Sequence, residues 1–387
     1  MAIQNAFTLT ANEIFSTLAN MFISQQVFAD NLGKHQTLVD KARVDGSMYG
    51  DTKLYYSTDV LESHEWTGDL EASNLLALDR PKDPEVQAIK LDVFRQIRLT
   101  VDNYLTKRGF STEGAFGDFN SVMLGWLRET KRVYDGTLYN TFIGTDETST
   151  GKQQLTITTN AGGNSTGENI ARAMADLFTD MGDYTTDYND YGHLRSYSED
   201  QIKVVWNAKY VNAVKKIDLP SIFHDEALQN TFVGDVLPQK YFGIPITSTN
   251  ISTYSDSTPT TGKPINSSTG AYTPGSNHAN GCIRALYEAT GTVSGNDFHV
   301  FPGQEIPAGA TIKASGDFEP GTVYIEDATI ICKVLVKLPP IMSAFEAGTV
   351  FFNGRSLTEN HYLTWGHNTL AHLKNYPLIT IREVVAE

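Results

Sequence analysis

The chain has 387 residues, and 45 acidic against 30 basic side chains give a formal net charge of −15. Hydrophobic residues make up 40% and charged residues 19%, which excludes a disordered chain and, at roughly 150 residues per domain, calls for two or three domains. The acidic balance argues against a dedicated nucleic-acid binder, which needs clustered Lys and Arg to neutralise phosphates; two cysteines, Cys282 and Cys332, with no CxxC pair, argue against a disulfide framework and a thiolate metal site.

The first basic residue is Lys34, so no charged n-region of a signal peptide is expected, and no stretch approaches the ~18 apolar residues of a membrane span. The sequons at Asn164, Asn250 and Asn266 read as chance matches in a Ser/Thr-rich chain. The expectation is a soluble protein made inside a cell.

Residues 10–33 predict an amphipathic helix. Thr10 and Glu13 form a capping box, Ile14, Leu18 and Phe22 share a face, and Gly33 is a stop. It is either an ordinary core helix or an arm that packs on a neighbour, and the pattern leaves both open. Residues 45–85 read as extended, with a strand at Lys53–Thr58 and Pro81 and Pro84 closing the segment. Residues 86–102 alternate: Ile89, Leu91, Val93, Ile97, Leu99 and Val101 on one face, polar residues between them. That predicts a long strand with one wet face.

Residues 115–143 give the longest helical pattern, with Val122, Met123, Trp126, Leu127, Val133, Tyr134, Leu138 and Phe142 at helical spacing. Gly125 and Gly136 weaken it by about 1 kcal/mol each against Ala. Further on, the patterns predict a strand near Leu155–Thr158, a helix over 168–181, a buried strand at 202–206, a short helix from Asn207 to Lys216 and an edge strand over 241–249. Residues 252–281, mostly Ser, Thr, Gly, Pro and Asn, predict a surface insertion without a core. Residues 283–338 read as β-rich. Ile330, Cys332, Val334, Val336 and Leu338 alternate with Lys333 and Lys337, and residues 378–382 form a last strand.

No chemical constellation stands out. Gly151-Lys152 and Gly262-Lys263 lack the rest of a Walker A loop, and Gly291–Gly295 has the wrong spacing for a nucleophile elbow. His361, His367 and His372 lie close in sequence and His224 precedes Asp225-Glu226, but ordinary hydrogen-bonded histidines account for both. Asp187-Tyr-Asn189-Asp190-Tyr-Gly192 opens like an EF-hand loop, yet position five is Tyr191 and position twelve is Ser198 where a bidentate acid belongs. A solvated acidic loop is the plainer reading. No catalytic, cofactor-binding or metal residue is therefore assigned, no cofactor is expected, and the chain reads as a structural protein rather than an enzyme.

The order of parts and some local wording carry a resemblance. Residues 97–116 (IRLTVDNYLTKRGFSTEGAF) leading into 125–145 (GWLRETKRVYDGTLYNTFIGT), and residues 204–227 (VVWNAKYVNAVKKIDLPSIFHDEA), resemble the major capsid proteins of tailed bacteriophages, those of short-tailed phages in particular, with the Hong Kong 97-type fold. The resemblance implies an α+β fold with an N-terminal arm (1–44), an extended E-loop hairpin (45–88), and a peripheral domain (89–149) carrying a spine helix at about 115–143. It further implies an axial domain (150–340) with a polar insertion at about 252–281 and a β-rich insertion, then C-terminal strands (341–387) that return to the peripheral domain or stay apart.

The implied function is a major head protein that assembles into pentamers and hexamers of an icosahedral shell around packaged double-stranded DNA. The implied partners are copies of itself, a separate scaffolding protein (an arm beginning by residue 11 leaves little room for a fused one), a portal, and DNA held without sequence-specific binding; no membrane is involved. The implied place is the virion, after assembly in the host cytoplasm. Two other readings stay open. One is a tail or adhesin component that binds a receptor through the β-rich region 283–338; the other is a hydrolase built on a carboxylate pair.

Overall fold

The structure is a computed structural model; it describes residues 37–46, 52–63, 80–102, 113–145, 153–159, 166–215 and 234–385. The helix expected over 10–33, and His224, lie outside the described residues. In chain order the strands are β1 (Arg43–Asp45), β2 (Thr52–Ser57), β3 (Glu85–Asp102), β4 (Gln154–Thr159), β5 (Lys203–Asn207) and β6 (Asp235–Leu237). There follow β7 (Gly243–Pro245), β8 (Ser255–Asp256), β9 (Ile265–Asn266), β10 (Ile283–Ala285), β11 (Ala289–Val293) and β12 (Asn296–Val300). The last five are β13 (Val323–Glu326), β14 (Ile330–Leu335), β15 (Ile341–Asn353), β16 (Thr358–Asn368) and β17 (Leu378–Val385). The chain divides into two units, one of residues 1–51, 90–136 and 341–369, the other of 52–89, 137–340 and 370–387.

The first unit is built on a sheet in which β15 and β16 pair antiparallel, β1 lies parallel to β15, and β3 lies antiparallel to β16. The long alternating strand is there as the sequence predicts, over Glu85–Asp102, and its burial alternates along most of its length. Short helix Thr37–Ala42 buries Leu38, Val39 and Ala42, so the last residues of the expected arm are packed into this unit. The long helix spans Glu113–Gly144. Leu127 and Tyr134 are buried on it, whereas Trp126, expected on the apolar face, is 45% exposed.

Charge pairs join this helix to the sheet. Lys131 Nζ lies 2.6 Å from Glu346 Oε2, and Arg43 Nη2 lies 3.4 Å from Asp135 Oδ2. Tyr134 bonds the His367 ring at 2.9 Å and meets Trp365 edge-on. Burial raises the Asp135 carboxyl to about 6, with Lys131 and Arg43 pulling the other way. The folded chain thus holds this proton more tightly than the unfolded chain, where Asp ionises near ~3.9. The stabilisation is complete below the unfolded value and is lost as pH rises through 6.

Asp135→Asn should therefore gain on wild type by about 2 kcal/mol between pH 4 and pH 7, at one pKa unit per ~1.4 kcal/mol and with the unfolded carboxyl already half ionised at pH 4. Urea unfolding of both proteins at the two pH values measures it. A difference that does not change with pH would refute the assignment. Burial also lowers the His367 pKa, which gives a slope of opposite sign below its ordinary value, but that contribution is common to both proteins and cancels.

The second unit has two cores. One lies on the sheet β4-β17-β14-β5-β6, in which β14 pairs antiparallel with β17 and β5 while β4 and β6 run parallel to their neighbours. Helix Thr166–Gly182 buries Ile170, Met174, Phe178 and Met181 against Val204, Trp206, Val334 and Ile379. Every residue of β14 is buried, so its alternation does not mark a wet face. Lys333 sits inside, donating to Thr145 O at 3.0 Å and Thr380 Oγ1 at 2.7 Å. Its amine meets the carbonyl just past the end of the long helix, where the helix dipole is negative.

The other core is a small β module with sheet order β10-β13-β7 and hairpins around it. Residues 252–281 do supply core here: Ile265 and Tyr272 are each 1% exposed and pack with Ile246, Ile283, Ile312 and Val323. The expectation of a coreless insertion is corrected. Two apolar side chains suffice because local turns satisfy the polar backbone, as where Asn266 Oδ1 accepts from the amides of Ser268 and Thr269. The edge strand expected over 241–249 is only Gly243–Pro245.

Candidate interaction surfaces

In the first unit the β15–β16 hairpin is packed at one end and bare at the other. Leu363, Trp365 and His367 are buried at its base. Toward the tip, Phe351 stands opposite Asn360 and Asn353 opposite Thr358. Val350, Phe351 and Phe352 are 63%, 62% and 52% exposed, and Leu357 in the turn is 46% exposed. Successive side chains of a strand point to opposite faces, so this run offers apolar surface on both sides of the ribbon. Consecutive large apolar residues left in water mark an interaction surface rather than chance.

In the second unit a similar pattern starts at β2. Leu54 and Tyr56 share a face and are exposed, as are Val60 and Leu61. The root of the segment is tied down. Ser57 Oγ lies 2.6 Å from Asn375 Oδ1 and 2.8 Å from the Nδ1 atom of His193. Arg195 Nη2 donates to Thr58 O at 2.6 Å, Asn375 Oδ1 at 3.1 Å and Ser57 Oγ at 3.2 Å. Asp59 Oδ1 accepts from the Leu194 amide at 3.0 Å, and these backbone donors lower its pKa. The returning limb is held too: Gln87 Nε2 donates to His372 O and Gln87 Oε1 accepts from the Lys374 amide. Arg195 is the hub of the clamp on the first limb, and Gln87 fixes the second to the 372–374 backbone.

A serine bonded to a histidine invites a nucleophile reading. Here Ser57 and His193 are both buried, and the hydroxyl is already engaged by Asn375 and Arg195. A substrate carbonyl cannot reach it, and the group works as a tether.

The sequence candidates for metal do not converge. His367 bonds Tyr134 and the Asn368 carbonyl, His372 Nε2 lies 2.7 Å from Asp190 Oδ2, and His361 lies 3.6 Å from Glu359. The acidic loop is closed by its own bonds. Asn189 brackets the backbone of His193 from both sides, Asp187 accepts from Thr185 Oγ1, and Asp190 also accepts from Gln153 Nε2. No helix among the described residues is long and apolar enough to cross a membrane.

No protein-family model matches the chain, and no curated protein matches its sequence. Solved structures do. A chain in the capsid structure of Staphylococcus phage Andhra is similar with a TM-score of 0.56 and 11% identity, over 99% of this chain and 95% of that one. The fold is that of a phage capsid chain. A second similar chain comes from the structure of head fiber and inner core protein gp22 of native bacteriophage P68, with a TM-score of 0.54 and 10% identity, over 92% of this chain and 88% of that one. At such identity the likeness lies in the path of the backbone and not in shared side chains, so the exposed residues above belong to this chain's own capsid-like scaffold.

Proposed function

We propose that this protein is a phage major capsid protein that assembles with copies of itself into the pentamers and hexamers of an icosahedral head. The observation that carries the reading is the likeness to the Andhra capsid chain over 99% of the sequence. The exposed apolar residues Leu54, Tyr56, Val350, Phe351 and Phe352 support it, because a neighbouring molecule laid over them would remove apolar surface from water.

In this reading residues 1–44 are the arm, with 37–44 as its anchored root, and 45–88 the E-loop, aimed by the Arg195 clamp. The peripheral domain is residues 89–149 with the spine helix Glu113–Gly144, joined by the late hairpin β15–β16. The axial domain is residues 150–340. A separate scaffolding protein and a portal complete the partners, and the net charge of −15 suits a wall that encloses DNA without gripping it. The protein does no chemistry, is made in the host cytoplasm and ends in the virion.

Electron microscopy of the purified protein, alone and with its scaffold, tests the reading. Hexamers, shells or tubes are expected. A species that stays monomeric under all conditions rejects it, and trimers alone transfer it to a tail or adhesin component.

A further inference from the structure

The small β module of the second unit carries a cluster that the lack of a CxxC pair does not anticipate. His278, Cys282 and Glu305 place a ring nitrogen, the thiol sulfur and a carboxylate oxygen all within 4.8 Å of one another. The pair His278 Nδ1 and Glu305 Oε1 is 3.4 Å apart. Ligand atoms around a tetrahedral zinc ion, at bond lengths of ~2.0–2.3 Å, sit about 3.5 Å from each other.

The surroundings fit a metal centre. Cys282 is 4% exposed and sits at the floor, while the His278 side chain is 54% exposed, so a fourth position faces water. Glu305 is oriented by Tyr272, whose hydroxyl donates to Glu305 Oε1 at 2.7 Å and accepts from the Ile283 amide at 3.3 Å. This is the outer partner that a ligating carboxylate needs. Arg284, whose charge acts on Cys282, is engaged by Glu326 at 3.0 Å. His278 and its neighbour Asn277 take φ values of 61° and 57°, unusual for residues with a Cβ, and that turn places the imidazole over the thiol and the carboxylate.

We propose that His278, Cys282 and Glu305 bind one divalent zinc-type cation per chain, with water as fourth ligand. The donor set, one soft thiolate, one imidazole and one carboxylate, suits Zn²⁺ over Mg²⁺ or Ca²⁺, which prefer all-oxygen shells. Binding breaks the Cys282 S–H bond, sends its proton to solvent and forms a sulfur–metal bond, with no change of oxidation state. Burial holds the free thiol up to about 12, so the cation is what makes the thiolate accessible near neutral pH. The bound ion cross-links the 275–282 loop to the Glu305 turn, fastening a module whose apolar core is small.

Titrating Co²⁺ into the full-length, metal-stripped chain tests this. A thiolate-to-cobalt charge-transfer band saturating at one equivalent, and its removal by Zn²⁺, are the expected results. Cys282→Ser should erase the band, and His278→Ala, at a solvent-facing position that leaves the fold intact, should weaken Co²⁺ binding at least tenfold. No band in the wild type, a band that survives Cys282→Ser, or unchanged affinity in His278→Ala would overturn the assignment. The readout is spectroscopic and does not depend on whether shells form.

Discussion

Val350→Ser, Phe351→Ser and Phe352→Ser combined should leave the chain folded and abolish shell formation. These side chains stand mostly in water, so the isolated chain loses little by their removal, within about 0.5 kcal/mol for a surface site. Burying a Val or Phe against a neighbour is worth roughly 1.5–3 kcal/mol. Three of them make about 5 kcal/mol per contact, between three and four powers of ten in its equilibrium constant. A closed lattice repeats that loss at each subunit, so the deficit compounds. The checks are an unchanged urea midpoint for the unassembled chain and empty fields by electron microscopy. Shells at wild-type yield would remove the hairpin tip from the interface.

Gly144→Ala should be among the damaging single methyl additions in the second unit. Gly144 ends the long helix, and a Cβ there would lie 2.2 Å from the Tyr241 carbonyl oxygen and 2.7 Å from its carbon. Both obstacles are backbone and cannot rotate away. The helix end must move, and with it the Thr145 carbonyl that receives Lys333. Overpacking costs about 1–3 kcal/mol, and a backbone clash belongs at the top of that range. Gly125→Ala supplies the contrast, since nothing lies within 4 Å of its added Cβ and it should gain up to about 1 kcal/mol in helix propensity. Parallel urea titrations of the two variants decide it; equal midpoints would mean that the contact with Tyr241 is not as drawn.

The comparison of sequence with structure turns on which physical signals are local. The strand Glu85–Asp102 and the helices Glu113–Gly144 and Thr166–Gly182 were legible because one face of each is wet, and a period of two or of 3.6 survives in the residue order. Strand β14 was legible as a strand, but its environment was not. Lys333 looked like the polar half of an alternation and is instead a buried amine held by a helix end nearly two hundred positions earlier in the chain. Only tertiary packing brings that carbonyl there. The polar stretch 252–281 failed for the converse reason: Ile265 and Tyr272 are too few to raise an average, yet they join a core whose other members, such as Ile246, Ile283, Ile312 and Val323, lie outside the stretch.

The surfaces were legible in part. The segment near residue 60 could be seen as extended. The clamp that aims it could not, because Ser57, His193, Arg195 and Asn375 share no motif or spacing. The cluster at His278, Cys282 and Glu305 escaped for a similar reason. A two-cysteine motif announces itself in sequence, whereas a mixed donor set assembled from a loop and a distant turn does not. The family resemblance supplied the likeness to phage capsid chains where composition fell silent.

The parallel pairing of β1 with β15 joins Arg43 to Ile341. A ribosome adding about 5–20 residues per second needs roughly a quarter of a minute to a minute to make the stretch between them. Throughout that interval the sheet of the first unit lacks its two central strands. The sheet of the first unit therefore closes only after both ends of that long stretch have been made.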